Sequence, residues 1–214
     1  MDIHILAGGP EALLPDLTHH NKNCRWIGVD RGVYTLLKNG IVPEAAFGDF
    51  DSVTEHEYVQ IVNEIGFLHK YKPEKDETDT ELAFNWALAK KAECIRLFGA
   101  TGGRQDHFLA NMQLLYKALS IAPQRTIEII DRKNIISAKN PGSYTLPKIA
   151  EKKYISFLPV SATVEGLTLE GFKYPLNDCH ISLGSTLCIS NELIAEYGTF
   201  SFRAGILMVV RSSD

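Results

Sequence analysis

Over the first 130 residues or so, short apolar runs alternate with stretches whose apolar positions recur at helical spacing. The runs IHILAG (3–8), CRWIGVD (24–30), EAAFGDF (44–50), FLHKYK (67–72), CIRLFGA (94–100) and TIEIID (126–131) predict strands. Between them, 31–40, 54–66, 79–92 and 106–120 predict helices, with Gly40 and Gly66 as stops. In the second helix Val59, Val62 and Ile65 would form the apolar face, and in the third Leu82, Trp86 and Ala89. Strand alternating with helix implies parallel strands joined by crossover helices, hence an open, mostly parallel α/β sheet with flanking helices.

The pattern changes at Asn134. The runs that follow, NIISA, GSYTL, KYISFLPV, TVEGLTLEGF, HISLGSTLCIS, GTFSFRA and GILMVVR, are short, β-like and punctuated by Pro, Gly and Asn. They predict an all-β sandwich or half-barrel of six or seven strands. Residues 1–133 are therefore assigned to an α/β domain and 134–214 to a β-sandwich domain, with AKNPGS (138–143) as the junction region.

Composition narrows the function. A chain of 214 residues with 45% hydrophobic and 22% charged positions is ordinary for a soluble globular protein. A net charge of −4 without a basic run argues against nucleic acid as a partner. Cys24, Cys94, Cys179 and Cys188 form no C-x-x-C pair, so a zinc site is not expected and reduced thiols are. MDIHILAGG lacks the basic start and long apolar run of a signal peptide, and no run reaches membrane-spanning length. The expectation is a cytoplasmic protein with no membrane partner.

Candidate chemistry gathers at the strand ends, where open parallel sheets bind ligands. GDFDS places Asp49 and Asp51 two residues apart; on an extended strand they would share a face and repel, which suits a divalent cation. The plain alternative is a polar turn. KDETDTELA starts a helix with the capping-box pattern Thr78-x-x-Glu81, which accounts for Asp79 but less well for Lys75 and Asp76. GATGGRQDH resembles a phosphate cradle opening a helix, with Asp106 as N-cap in the simpler reading. No Walker A loop, dinucleotide fingerprint or Gly-x-Ser-x-Gly elbow is present. His4 and His69 read as structural, His19 and His20 as surface, and His107 as the histidine beside the candidate site.

These motifs, in this order, together with SLGSTLCISNEL in the β half, closely resemble the thiamine pyrophosphokinase family, and the resemblance spans nearly the whole chain. It implies an N-terminal α/β catalytic domain, a C-terminal β-sandwich, and a homodimer with active sites between subunits. It implies transfer of a pyrophosphoryl group from ATP to the hydroxyl of thiamine, giving AMP and thiamine diphosphate, with Mg²⁺ as cofactor. By motif match, Asp30, Asp49, Asp51 and Asp79 would bind the metal, and Asp49, Asp51 and Asp79 would be catalytic. Arg31, Lys75, Thr78, Thr101, Gly102 and Arg104 would bind ATP, although Arg31 departs from the D-G-G form common in the family. Asp106, Ser190 and Asn191 would bind thiamine, whose cationic ring also suits aromatic neighbours such as Phe200 and Phe202. Two other readings remain at this point: a pyrophosphokinase acting on a pterin alcohol, and a nucleotide-binding regulator without turnover.

Overall fold

The computed structural model describes residues 1–66 and 76–214, and the backbone of 68–70. The chain forms two units, Met1–Arg132 and Lys133–Asp214.

The first unit contains β1 (Asp2–Leu6), β2 (Cys24–Val29), α1 (Arg31–Lys38), β3 (Ala45–Gly48), α2 (Glu55–Glu64), β4 (Leu68–Lys70), α3 (Asp79–Ala89), β5 (Cys94–Phe98), α4 (Gln105–Ile121) and β6 (Thr126–Ile130). Its strands are all parallel in the order β6–β5–β1–β2–β3–β4. Ile3, Ile5, Ile27, Ile95 and Leu97 are fully buried, as expected of strands covered on both faces. Succession reverses at β1, with β2 on one side and β5 on the other. That reversal opens a crevice beyond the carboxyl ends of β1 and β5, where such sheets take ligands.

The helix starts follow their side chains. Thr54 and Glu57 form a complete capping box on α2, with bonds of 3.3 and 2.8 Å. At α3 only half of the box forms. Thr78 Oγ1 accepts from the Glu81 N–H at 3.1 Å, but the Glu81 carboxylate accepts from Lys117 at 2.8 Å. Helix α4 begins at Gln105 with Arg104 as its N-cap, so Asp106 lies inside the first turn and is not the cap.

Two helical faces differ from expectation. On α2, Val59 and Val62 are exposed, and Ile61 and Ile65 pack with Val33, Ala46 and Phe50. The capping box and the pairing of Glu57 with Arg31 turn that side of the helix inward. On α3, Ala83, Phe84 and Ala87 are buried, whereas Ala89 is exposed. This helix is apolar around most of its circumference, so periodicity alone does not define its inner face.

The second unit holds β7 (Asn134–Lys139), β8 (Gly142–Pro147), β9 (Tyr154–Pro159), β10 (Thr163–Glu170), β11 (Leu176–Ser182), β12 (Asn191–Glu192), β13 (Tyr197–Phe202) and β14 (Leu207–Ser212). They build two antiparallel sheets, β12–β9–β14–β7 and β11–β10–β13–β8. The expected fold class, an open parallel sheet followed by an antiparallel β-sandwich, is what the chain adopts. HISLGSTLCIS is not one strand: β11 ends at Ser182, and turns occupy 183–190.

Phe157, Phe172, Phe200, Val164, Leu169 and Val209 fill the sandwich core. Phe157 lies 5.1 Å from Phe200, and Tyr144 stacks on Phe200 at 4.9 Å. Phe200 and Phe202 are therefore core residues, 1% and 3% exposed, and not rings presented to a ligand. The period-two alternation of β13 turns Gly198, Phe200 and Phe202 to the same inner side. Replacing Phe200 with Ala should lower stability by about 3–5 kcal/mol, the usual cost of emptying a buried aromatic site. Urea unfolding checks this, and a loss below about 1 kcal/mol would contradict the core assignment.

Candidate functional site

Beyond β1 and β5 the two chain segments remain bonded to each other. The Ala7 N–H donates to the Phe98 carbonyl at 2.8 Å, and the Gly9 N–H to the Gly99 carbonyl at 2.9 Å. The glycine-rich turn that follows needs positive φ at Gly99 (61°), Gly102 (72°) and Gly103 (61°). A side chain at 102 would also strike Leu13. Two buried side chains fix this turn from below. Asn111 Nδ2 donates to the Ala100 carbonyl at 3.0 Å, and Thr101 Oγ1 donates to Asp131 at 2.8 Å. The turn thus borders a cavity of about 460 Å³ lined by Gly9, Pro10, Asp51, Gly102, Gly103 and Arg104, among others. A second cavity of about 270 Å³ is lined by residues 76–80. Asp30, Thr80 and His107 line both.

Asp30 is the centre of this arrangement. It stands between β2 and α1 with φ 48° and ψ −124°, a costly backbone conformation for a non-glycine residue. Its N–H is tied to the Phe47 carbonyl at 2.9 Å. Its carboxyl rests against Gly48, where any Cβ would overlap Oδ1. That oxygen is buried and has no hydrogen-bond partner. Burial first, then the charges of Asp79 and Asp49, push the Asp30 carboxyl up to about 7. Asp51 adds to the rise, and a hydrogen bond from the Phe50 N–H opposes it.

The geometry corrects the same-face argument for Asp49 and Asp51. Strand β3 stops at Gly48, and Phe50 between the two aspartates is left-handed, with φ 62°. The Phe50 ring is buried against Val33, Ala46 and Ile61. Asp49 Oδ1 accepts from the Asp51 N–H at 3.1 Å, forming a turn. The alternation of an extended chain therefore does not apply here. Both charges act on Asp30 through this turn.

The remaining predicted residues divide into groups. Thr78 and Asp79 open α3 and line the smaller cavity, while Gly102 and Arg104 line the larger. Arg104 grips Asp106 through two bonds, of 2.6 and 3.2 Å, and the Arg104 guanidinium holds the Asp106 carboxyl down to about 2. Arg31 is committed elsewhere: it pairs with both oxygens of Glu57 at 3.1 and 3.2 Å, joining α1 to the start of α2. Thr101 spends its hydroxyl on Asp131. Lys75 lies outside the described residues, as does the side chain of His69.

In the second unit, Ser190 is exposed, with φ 57°. Asn191 is 2% exposed, and its amide both accepts from the Tyr174 N–H at 3.0 Å and donates to the Tyr174 carbonyl at 2.8 Å. Asn191 thus clamps the Tyr174 backbone.

His4 is structural as expected, packed on Trp26 at 4.9 Å and pushed down to about 4 by burial, then by Arg96. His20 is half-buried against Phe98 at 5.0 Å, not a surface residue. Thr80 and Asn111 join the site without having been singled out. The signal for Asn111 was its i, i+4 relation to His107, which puts both on one side of α4.

Among the described residues, no three Asp, Glu, His or Cys side chains are gathered closely enough to hold a metal ion by themselves. Uncompensated carboxylates repel each other, and Mg²⁺ commonly uses one or two of them with water and phosphate oxygens. Asp30 lines both cavities, has a buried carboxyl oxygen without a hydrogen-bond partner and lies under the charges of three other acids, a combination that fits a cation of that kind.

Known proteins resemble this chain over most of its length. Residues 17–129 match the family model described as thiamin pyrophosphokinase, catalytic domain, and residues 143–207 match thiamin pyrophosphokinase, vitamin B1 binding domain. The chain is 55% identical to thiamine pyrophosphokinase of Bacillus subtilis (strain 168) over 213 residues, 99% of each chain. It superposes on a crystal structure of thiamine pyrophosphokinase from Bacillus subtilis with a TM-score of 0.95 at 54% identity, covering all of both chains. The thiamin pyrophosphokinase structure from Geobacillus thermodenitrificans gives 0.91 at 51% identity, covering 100% of this chain and 98% of that one.

The pH dependence of the ligand-free protein follows from Asp30. Its carboxyl rises from an ordinary 3.8 to about 7 on folding, so the folded state holds the proton more tightly than the unfolded one. That stabilising contribution is complete below about pH 4 and is lost as pH rises towards 7. Asp30→Asn should therefore stabilise the ligand-free protein more at pH 8 than at pH 5, by about 1–3 kcal/mol. Urea unfolding at the two pH values measures this, and an equal effect at both would contradict it.

Proposed function

The chain belongs to the thiamin pyrophosphokinase family, and on that premise we propose how its residues divide the work of the family reaction. The reaction moves the pyrophosphoryl group of ATP to the hydroxyl of thiamine and releases AMP. The thiamine hydroxyl oxygen bonds to the β-phosphorus as the bond from that phosphorus to the AMP oxygen breaks, and the hydroxyl proton is given up. Positioning and charge neutralisation dominate such a step.

The observation that carries the assignment is the buried, unpartnered Asp30 oxygen beside both cavities, under the fields of Asp79, Asp49 and Asp51. We assign these four carboxylates to hold magnesium, which supplies neutralisation of the polyphosphate charge. The larger cavity takes ATP: its glycine-rich turn offers backbone N–H groups, and α4 directs its positive end there. Arg104 adds a cation once a phosphate competes with Asp106 for it. Thr78 sets the start of α3 and so the placement of Asp79. Lys75 keeps its assignment to ATP by motif match alone. Arg31 acts at a distance, bracing α1 against Glu57 where α1 leaves Asp30.

The β-sandwich unit supplies the thiamine contact, as the description of its family model suggests. Exposed Ser190 is the direct contact, and Asn191 holds the adjoining Tyr174 backbone in place. Asp106 is the acid of the first unit assigned to thiamine. A homodimer is the assembly we infer, because Leu183, Leu187, Ile194 and Tyr197 expose large apolar surface on the second unit. We place the protein in the cytoplasm, in keeping with four unbridged cysteines. Among the described residues no helix is long and apolar enough to cross a membrane.

Chromatographic detection of AMP tests the activity: AMP should form from ATP only when thiamine and Mg²⁺ are both present. AMP formation independent of thiamine would contradict the substrate assignment. Asp51→Asn should lower kcat by at least about a hundredfold while leaving far-UV circular dichroism unchanged, since it removes a charge facing the reacting phosphates. Turnover near the parent value at saturating Mg²⁺ would overturn that role. Asn191→Ala should weaken thiamine binding and leave Mg–ATP binding nearly intact, with Asp49→Ala doing the reverse. Calorimetry with one ligand at a time separates the two, and equal weakening of both ligands by Asn191→Ala would show that the site is not divided this way.

A further inference from the structure

Asn111 carries a polar group that is only half used within the protein. It comes from the second turn of α4, is 7% exposed and lines the larger cavity. Its Nδ2 donates to the Ala100 carbonyl at 3.0 Å. A carbonyl only accepts, so that bond fixes which way the amide is turned. Oδ1 is then the other end, and among the described residues no donor is bonded to it. An acceptor kept in a largely buried place without a donor is costly, and a ligand that supplies one removes the cost.

Position and chemistry say which part of a ligand that is. Arg104 and the turn at Gly102 and Gly103 stand at the start of α4, the end assigned to phosphate. Asn111 reaches the cavity from below that turn, roughly 10 Å further along the helix at about 1.5 Å per residue. Ala7, Pro10, Ala100 and Phe108 give the same cavity an apolar wall. Ionised phosphate oxygens accept and do not donate, so they offer nothing to Oδ1. The neutral donors of ATP are the ribose hydroxyls and the 6-amino group of adenine.

We propose that Asn111 Oδ1 recognises the nucleoside part of ATP by accepting from one of these donors, and so sets which nucleotide the cavity takes. This rests on the assignment of the larger cavity to ATP. A volume of about 460 Å³ lies within the range of about 300–1,000 Å³ usual for small-molecule sites. A 6-oxo base would set an acceptor against an acceptor, and a deoxyribose would leave the amide oxygen unpaired. Sites that hydrogen-bond a donor discriminate in this way against analogues that lack it.

Calorimetry without thiamine, which avoids turnover, tests the proposal. The Mg²⁺ complexes of ATP, 2′-deoxyATP, 3′-deoxyATP and inosine triphosphate are titrated into the full-length protein and into Asn111→Ala. The parent should bind ATP at least about fivefold more tightly than the analogue without the recognised donor, and that analogue identifies the donor. In Asn111→Ala the preference should vanish, even where loss of the Ala100 bond weakens all four ligands together. Equal affinities of the parent for the four nucleotides would overturn the proposal without reference to any variant. A preference that survives in Asn111→Ala would overturn it as well. Arg104→Ala checks the premise separately and should weaken all four nucleotides alike. Unchanged ATP binding in that variant would remove the cavity assignment, and this inference with it.

Discussion

One buried carboxyl under the field of three others is the constraint from which the site takes its shape. Asp30 occupies a backbone conformation that a side chain rarely adopts, presses on a glycine that nothing larger could replace, and leaves an oxygen unbonded. Each of these costs free energy in the ligand-free protein. They also lie together at the exit of β2 and β3, beside the cavities. Like-charge crowding is retained where binding a cation would relieve it.

The sheet makes this possible by separating rigid from adaptable parts. β1 and β5 continue their hydrogen bonding past the strand ends, and Asn111 and Thr101 hold the glycine-rich turn from below. The surface offered to an anion is therefore backbone, fixed in place before a ligand arrives. The acidic side chains beside these cavities are placed by caps and turns: Asp79 by the Thr78 cap, Asp51 by the bond to Asp49. Pre-formed donors need no reorganisation as charge develops during the reaction.

Architecture was legible in the sequence because strands covered on both faces read as unbroken apolar runs, and a switch to closely spaced turns marks the sandwich. The chemical groups at the strand ends were legible as residue types at the right places. Their orientation was not. Nothing in GDFDS announces that Phe50 is left-handed, because its buried ring, a tertiary contact, selects that conformation. Nothing near Arg31 in the sequence announces its pairing with Glu57, 26 positions away. Asn191 and Phe200 carried suitable chemistry in their names, but burial turned one to a backbone clamp and the other to the core. On α2 and α3 helical spacing was correct and the inner face was not, since neighbouring elements choose the face.

The central claim is that the Asp30 carboxyl is the electrostatic focus of a cation site. Carbon-13 NMR of the Asp30 carboxyl, assigned with Asp30→Asn and followed across pH with and without Mg²⁺ and a nonhydrolysable ATP analogue, measures it directly. Without ligand the carboxyl should titrate near 7. With both ligands the midpoint should fall by more than about two units, since a bound cation favours the ionised form. A carboxyl that titrates at the ordinary aspartate value without ligand, or whose midpoint stays near 7 with both ligands bound, would contradict the account.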